Sequence, residues 1–182
     1  MGIEREAGNN VLAQQEPRIG IVLGSDSDFG MMEETIRVLD DFGVPYEVTI
    51  ASAHRSPERA ADYAREAEGR GIEVLIAGAG MAAHLPGVLA AYTTLPVIGV
   101  PLQGGALNGV DALYSVVQMP PGVPVAAVAI NGARNAALLA VQMLSLRDSD
   151  LRAKLRVYKA RMAAEVAAKS TALQERLLHD RG

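Results

Sequence analysis

The sequence predicts an α/β fold, a doubly wound parallel sheet with helices on both faces, on the strength of three observations. Short apolar runs alternate with helix-periodic segments from residue 18 onward. Glycine, serine and histidine collect where those runs end. Aromatic residues make up only 4% of the 182-residue chain, so its core must be built from alanine, valine, leucine, isoleucine and methionine, which suits closely layered helices on a sheet.

The elements follow in order. Residues 1–17 carry no periodicity, end at Pro17 and read as a mobile tail. Apolar runs at 18–23, 46–51, 73–77, 96–100 and 124–130 read as buried strands. The first helix carries a stripe of Met32, Ile36, Leu39 and Phe42 and closes at Gly43, with Pro45 beyond. A second starts at Pro57, where a missing N–H costs nothing, and buries Ala60, Ala64 and Ala67. Right-handed crossovers between such strands put ligands outside the carboxyl ends of the sheet. The last segment, from 149 to 182, follows the cap candidates Asp148, Ser149 and Asp150. It repeats apolar residues at Leu151, Leu155, Tyr158, Met162 and Val166, with Leu173 and Leu177 in continuation. So long an apolar stripe exceeds what one small sheet covers, and it predicts packing on neighbouring subunits of a homo-oligomer.

Composition narrows the function classes. The formal net charge is -4 and no dense run of lysine or arginine appears, which argues against nucleic acid as a partner. With no cysteine and three scattered histidines, neither a disulfide frame nor a thiolate or histidine metal site is expected. No apolar run is long enough to span a bilayer and residues 1–16 lack a signal-peptide centre, so the protein reads as soluble and cytoplasmic.

Three loops carry unusual chemistry. Gly24-Ser25-Asp26-Ser27-Asp28 follows the first strand. A glycine turn, hydroxyl donors and the amides of a helix start suit a phosphate, although two carboxylates facing one phosphate would repel it. A helix cap with no ligand remains the plain structural alternative. Ser52-Ala53-His54-Arg55-Ser56-Pro57 offers an imidazole that titrates near neutrality beside a fixed cation able to grip phosphate. A histidine on a carbonyl and an arginine on a surface glutamate is the alternative there. The third loop, Ala77 to Gly87, combines Gly78 and Gly80 with His84, and its amides are free to approach an anion. Its glycine spacing and its place after the third strand exclude a dinucleotide fingerprint, and a tight turn in an alanine-packed crossover is its alternative. His179 sits in a polar tail without a role. No serine triad, loop lysine or acidic metal cluster accompanies these loops, so histidine and backbone dipoles must do the chemistry.

Jointly these segments resemble the N5-carboxyaminoimidazole ribonucleotide mutases, the class I PurE family that forms the catalytic subunit of phosphoribosylaminoimidazole carboxylase. The likeness runs from Arg18 to Leu146. It takes in the three loops, Gly99-Val-Pro101, Gly109-Val-Asp111, Gln118-Met-Pro120, Gly122-Val-Pro124 and Asn135 to Ala140. It implies a flavodoxin-like three-layer sandwich over 18–148, an octamer with sites shared between subunits, and no metal or organic cofactor. It also implies transfer of carbon dioxide from the exocyclic nitrogen to ring carbon 4 of a ribonucleotide. On matching positions, His54 resembles the general acid and base, while Ser25, Ser27, Asp28, Ser52 and Arg55 resemble nucleotide ligands. Gly80, Ala83 and His84 resemble the pocket wall. A related branch that carboxylates with free carbon dioxide typically has lysine after the histidine, where Arg55 stands here. The family usually has glycine at the place of Met81 and serine or threonine near Gly104, departures that bear on rate and affinity.

Two other classes compete, a direct carboxylase and a non-catalytic nucleotide-binding or signalling domain. A phosphoacceptor switch would need aspartate where Ala77-Gly78 ends the third strand, and a flavodoxin would need aromatic plates for its ring.

Overall fold

The structure is a computed structural model that describes residues 16–179; the expected tail falls outside it up to residue 15. Five parallel strands, β1 (Ile19–Leu23), β2 (Tyr46–Ile50), β3 (Val74–Gly80), β4 (Val97–Leu102) and β5 (Ala126–Ala127), form one sheet in the order β2-β1-β3-β4-β5. That is the flavodoxin-like order, whose direction reverses between β1 and β3. The loops after those two strands therefore diverge to opposite faces and leave a crevice between them. Pairing of Leu23 with Ile50 on one side and Gly78 on the other levels the ends of β1 and β2, while β3 runs two residues further, to Gly80.

Helix α1 (Phe29–Phe42) ends as its sequence dictates: Gly43 adopts φ 67, and its N–H with that of Val44 returns to the carbonyls of Asp40 and Leu39. The buried face differs from the expected stripe. Met32, Leu39 and Phe42 are buried with Thr35 and Val38, whereas Ile36 is only half-buried. Thr35 is accommodated because its hydroxyl donates to the Ala133 carbonyl at 3.1 Å, a partner distant in sequence. Helix α2 (Pro57–Glu66) begins at Pro57 and buries Ala60, Ala61 and Ala64. Ala60 and Ala64 share a core cluster with Leu75 and Ala77 of β3 and with Leu85 and Leu89 of α3 (Leu85–Tyr92), so two helices lie close over one sheet face. Helices α4 (Val110–Val117) and α5 (Ala133–Leu144) complete the α/β unit, which ends at Met143.

Two strand boundaries depart from expectation. Strand β3 runs three residues beyond Ala77, so Gly78 and Gly80 belong to the sheet. A Cβ on Gly78 would stand 3.0 Å from Met32 Sδ and 3.1 Å from its Cγ, which makes that glycine a packing requirement. Strand β5 shrinks from the expected 124–130 to two residues. Pro120 and Pro124 lack N–H donors just upstream, and the ladder resumes only in single bonds, Val128 to Gly99 and Asn131 to Pro101.

From Leu144 the chain forms a second unit dominated by α6 (Ser149–His179), about 46 Å long at the usual helical rise. Of the three cap candidates, Asp148 does the capping: its carboxylate accepts the N–H groups of Asp150 and Leu151 at 3.2 and 3.1 Å. The Arg152 guanidinium reaches back to the carbonyls of Ser145 and Leu146 at 2.9 and 2.8 Å and so fixes the turn into the helix. Leu151 is buried, Leu155 and Tyr158 are half-buried, and Met162, Val166, Leu173 and Leu177 are exposed. Among the described residues no helix is long and apolar enough to cross a membrane.

Candidate active site

The crevice over the β1 and β3 ends opens into a cavity of about 510 Å³, within the range that holds small ligands. All three loops line it. Ser25, Ser27 and Asp28 come from the first, Ser52, His54 and Arg55 from the second, and Gly80, Ala83 and His84 from the end of β3 and its loop. The nine residues singled out in the sequence therefore line one cavity.

Chain geometry explains each placement. Residues Asp26–Asp28 form a single 3-10 turn that leads into α1, and neither Ser25 nor Asp28 caps it with a side-chain bond. Instead the Ser27 hydroxyl donates to Ser25 Oγ at 3.0 Å, and Ser25 in turn donates to Asp26 Oδ1 at 3.0 Å. Asp26 is exposed and lies outside the cavity, on the groove beside Phe29 and Ile50. Of the two carboxylates only Asp28 lines this cavity, while Asp26 lines an adjoining pocket with Ser25, Ser52 and Arg55. The Ser25 hydroxyl holds the Asp26 carboxyl below its ordinary value, with the Arg55 charge assisting. Burial pushes the Asp28 carboxyl up, against the lowering effect of the Ser25 backbone and Arg55.

The second loop is closed on itself. Ser56 N–H donates to the Ser52 carbonyl at 2.9 Å, and Ser56 Oγ accepts the Ser52 N–H at 2.9 Å. From this frame Arg55 Nη2 donates to the Gly24 carbonyl at 3.0 Å and ties the second loop to the first. No carboxylate neutralises that guanidinium among the ion pairs of the described residues. A dianionic group meeting Arg55 and the two serine hydroxyls would find both charge and donors.

The two loop histidines meet. His54 Nε2 lies 2.6 Å from His84 Nδ1, with ring centroids 4.7 Å apart and the planes at 65°. Such a contact holds one proton between the nitrogens, so the tautomer of one ring dictates that of the other. Both rings are exposed to the cavity, and they offer an acid and base that is positioned yet accessible. Met81 lines the same cavity. Its backbone is left-handed at φ 54, as is that of Ala83 at φ 43, a conformation that costs a side-chain-bearing residue about 1–2 kcal/mol. Among the described residues no cluster of histidine, aspartate and glutamate could hold a metal ion.

A family model described as AIR carboxylase matches residues 18–165, the greater part of the chain. The chain belongs to the AIR carboxylase family. Within that family, it is 56% identical over 164 residues to the N5-carboxyaminoimidazole ribonucleotide mutase of Pyrococcus horikoshii, covering 90% of this chain and 93% of that one. The mutase of Thermotoga maritima is 54% identical over 159 residues, 87% and 93% of the two chains. The phosphoribosylaminoimidazole carboxylase of Saccharomyces cerevisiae is 55% identical over 162 residues, but this chain spans only 28% of it. Among solved structures, Treponema denticola PurE superimposes with a TM-score of 0.79 at 30% identity, covering 86% of this chain and 98% of that one. The AIR carboxylase family and the flavodoxin-like fold are thus the ones the sequence motifs implied.

Proposed function

We propose that this protein is an N5-carboxyaminoimidazole ribonucleotide mutase, an isomerase of purine biosynthesis, with His54 as its proton carrier. The observation that carries the reading is the His54 to His84 contact inside a cavity whose other wall presents Arg55, Ser25, Ser27 and Asp28. The mutase names of relatives that match nearly end to end support it.

The chemistry follows from the groups present. Arg55 with the Ser25 and Ser27 hydroxyls takes the phosphate, and Asp28 accepts from the ribose hydroxyls. The His54 imidazole, in its cationic form, gives a proton to the carbamate nitrogen; the nitrogen to carbon bond breaks and its electron pair stays on nitrogen, releasing carbon dioxide. Carbon 4 of the electron-rich ring then attacks that carbon dioxide. The neutral imidazole removes the ring proton and is restored to its starting state, so one proton enters and one leaves. The wall of Gly80, Ala83 and His84 encloses the reacting end.

Oligomerisation as an octamer belongs to this reading. Exposed apolar residues run along α6, and a second stripe of Leu107, Val110, Tyr114 and Val117, three and four apart, lies exposed on and beside α4. A cytoplasmic location goes with a charged, phosphorylated substrate.

The carboxylase name of the yeast relative makes direct carboxylation the competing reading. Incubation with each ribonucleotide, with and without bicarbonate, separates them. Conversion of the carbamate without bicarbonate is expected. A requirement for bicarbonate with aminoimidazole ribonucleotide would establish the carboxylase, and binding without turnover of either would leave a nucleotide-binding module.

A further inference from the structure

The first two loops carry more negative than positive charge. Asp26 and Asp28 stand against the single guanidinium of Arg55, an excess of one negative charge where a phosphorylated ligand needs the opposite sign. Asp26 is exposed, yet its charge reaches the site: burial is the main force against ionisation of Asp28, and Asp26 adds to it. Arg55 alone therefore leaves an anion poorly compensated.

The adjoining pocket supplies a second cation. Gly24, Ser25, Ser52 and Arg55 border both spaces, and beyond them the pocket is lined by Asp26 and Arg59. Arg59 lies exposed in the first turn of α2, where its Nη2 donates to the Thr49 hydroxyl of β2 at 3.2 Å. Arg65 and Arg70, further along the same stretch of chain, each pair with a carboxylate. Arg59 meets none among the ion pairs of the described residues. A phosphate dianion in this pocket would face two guanidiniums against the one carboxylate of Asp26, so its charge is met there. We infer that Arg59 is a specificity-determining residue that grips the substrate phosphate from the outer pocket and balances the charge of Asp26. The assignment rests on the mutase reading for its substrate, and ribose 5-phosphate carries the group it requires.

The test titrates ribose 5-phosphate by calorimetry into wild type, Arg59→Gln, Arg59→Lys, and Arg59→Gln combined with Asp26→Asn. Arg59→Gln is expected to weaken binding by about tenfold or more, the scale of a lost hydrogen bond to a charged group. Lysine keeps the charge without the planar fork and is expected to recover part of that loss. Adding Asp26→Asn to Arg59→Gln removes the uncompensated carboxylate and is expected to restore affinity by about threefold. Added salt is expected to narrow the gap between wild type and Arg59→Gln. On the carbamate substrate the loss is expected in KM, with kcat within about twofold of the parent. Unchanged affinity in Arg59→Gln overturns the assignment. A loss that neither salt nor Asp26→Asn reduces also overturns it, by giving Arg59 a purely structural part through Thr49. Wild type that binds ribose 5-phosphate but fails to isomerise the carbamate overturns the mutase reading alone, since the comparison of affinities needs no turnover. Active wild type with an unaffected Arg59→Gln overturns the inference alone.

Discussion

Replacing His84 with alanine removes the nitrogen that stands 2.6 Å from His54 Nε2 and frees the catalytic candidate to rotate in an open cavity. Both rings are exposed, so the bond contributes the net value of a hydrogen bond between partly solvated groups, about 1 kcal/mol, rather than its gross strength. Transferred entirely to the transition state, that is a loss in kcat of about fivefold, since 1.36 kcal/mol corresponds to tenfold. His54→Asn deletes the proton carrier itself and is expected to lower kcat by about 10²–10⁴. If His84 acts only by orienting His54, the double variant falls no further than His54→Asn alone, within about threefold. His84→Asn places an amide near the position of Nδ1 and is expected to recover most of the loss. Initial rates on the carbamate substrate, with nucleotide affinity measured separately by calorimetry, give the cycle. Multiplying losses would show that His84 has its own part in the chemistry. A His84→Ala rate equal to that of the parent would refute the orienting role, and a His54→Asn rate near the parent would refute the assignment of the proton carrier.

Asp28 offers an opposed pair of outcomes. Burial raises its carboxyl pKa, so its ionised form is disfavoured in the folded protein and costs stability above the ordinary carboxyl range. Asp28→Asn is expected to raise the melting temperature at pH 7, an advantage that shrinks as the pH falls through the raised pKa toward 3.8 and below. The same change removes a charged acceptor and is expected to raise KM by about tenfold or more. Melting curves at several pH values and steady-state kinetics check both. For the subunit reading, Val166→Asp and Leu173→Asp alter residues 67% and 55% exposed in the single chain. They are expected to lower the sedimenting mass at micromolar concentration while leaving the far-ultraviolet helix signal intact; unchanged mass would refute packing of that stripe on a neighbour.

Local signals served the sequence reading well wherever the physics is local. The Gly43 stop, the Pro57 start and the Asp148 cap each depend on backbone groups within a few residues, and each stands where the pattern put it. Non-local causes were illegible. Thr35 looks like a break in the apolar face of α1, yet it is buried because the Ala133 carbonyl receives its hydroxyl. Gly78 and Gly80 look like an anion-binding loop, yet they continue β3, and Gly78 is short of a side chain because Met32 packs over it. The anion-binding amides foreseen in the third loop accordingly shrink to the few residues after Gly80, where the Ala83 N–H already donates to the Gly80 carbonyl at 3.0 Å.

The site was legible for a topological reason. Parallel strands all deliver their carboxyl ends to one edge, so three loops that are remote in sequence must converge once the order reverses between β1 and β3. What convergence alone does not fix is which side chains turn inward. Asp26 and Asp28 are two residues apart in the same polar loop, and nothing in their spacing says that one leaves for the outer groove. The 3-10 turn over Asp26–Asp28 decides it: with about three residues per turn, positions two apart lie about 240° around the axis and face different sides. Asp28 alone then lines the cavity with Arg55, while Asp26, turned to an adjoining pocket, stays close enough for its charge to oppose the ionisation of Asp28.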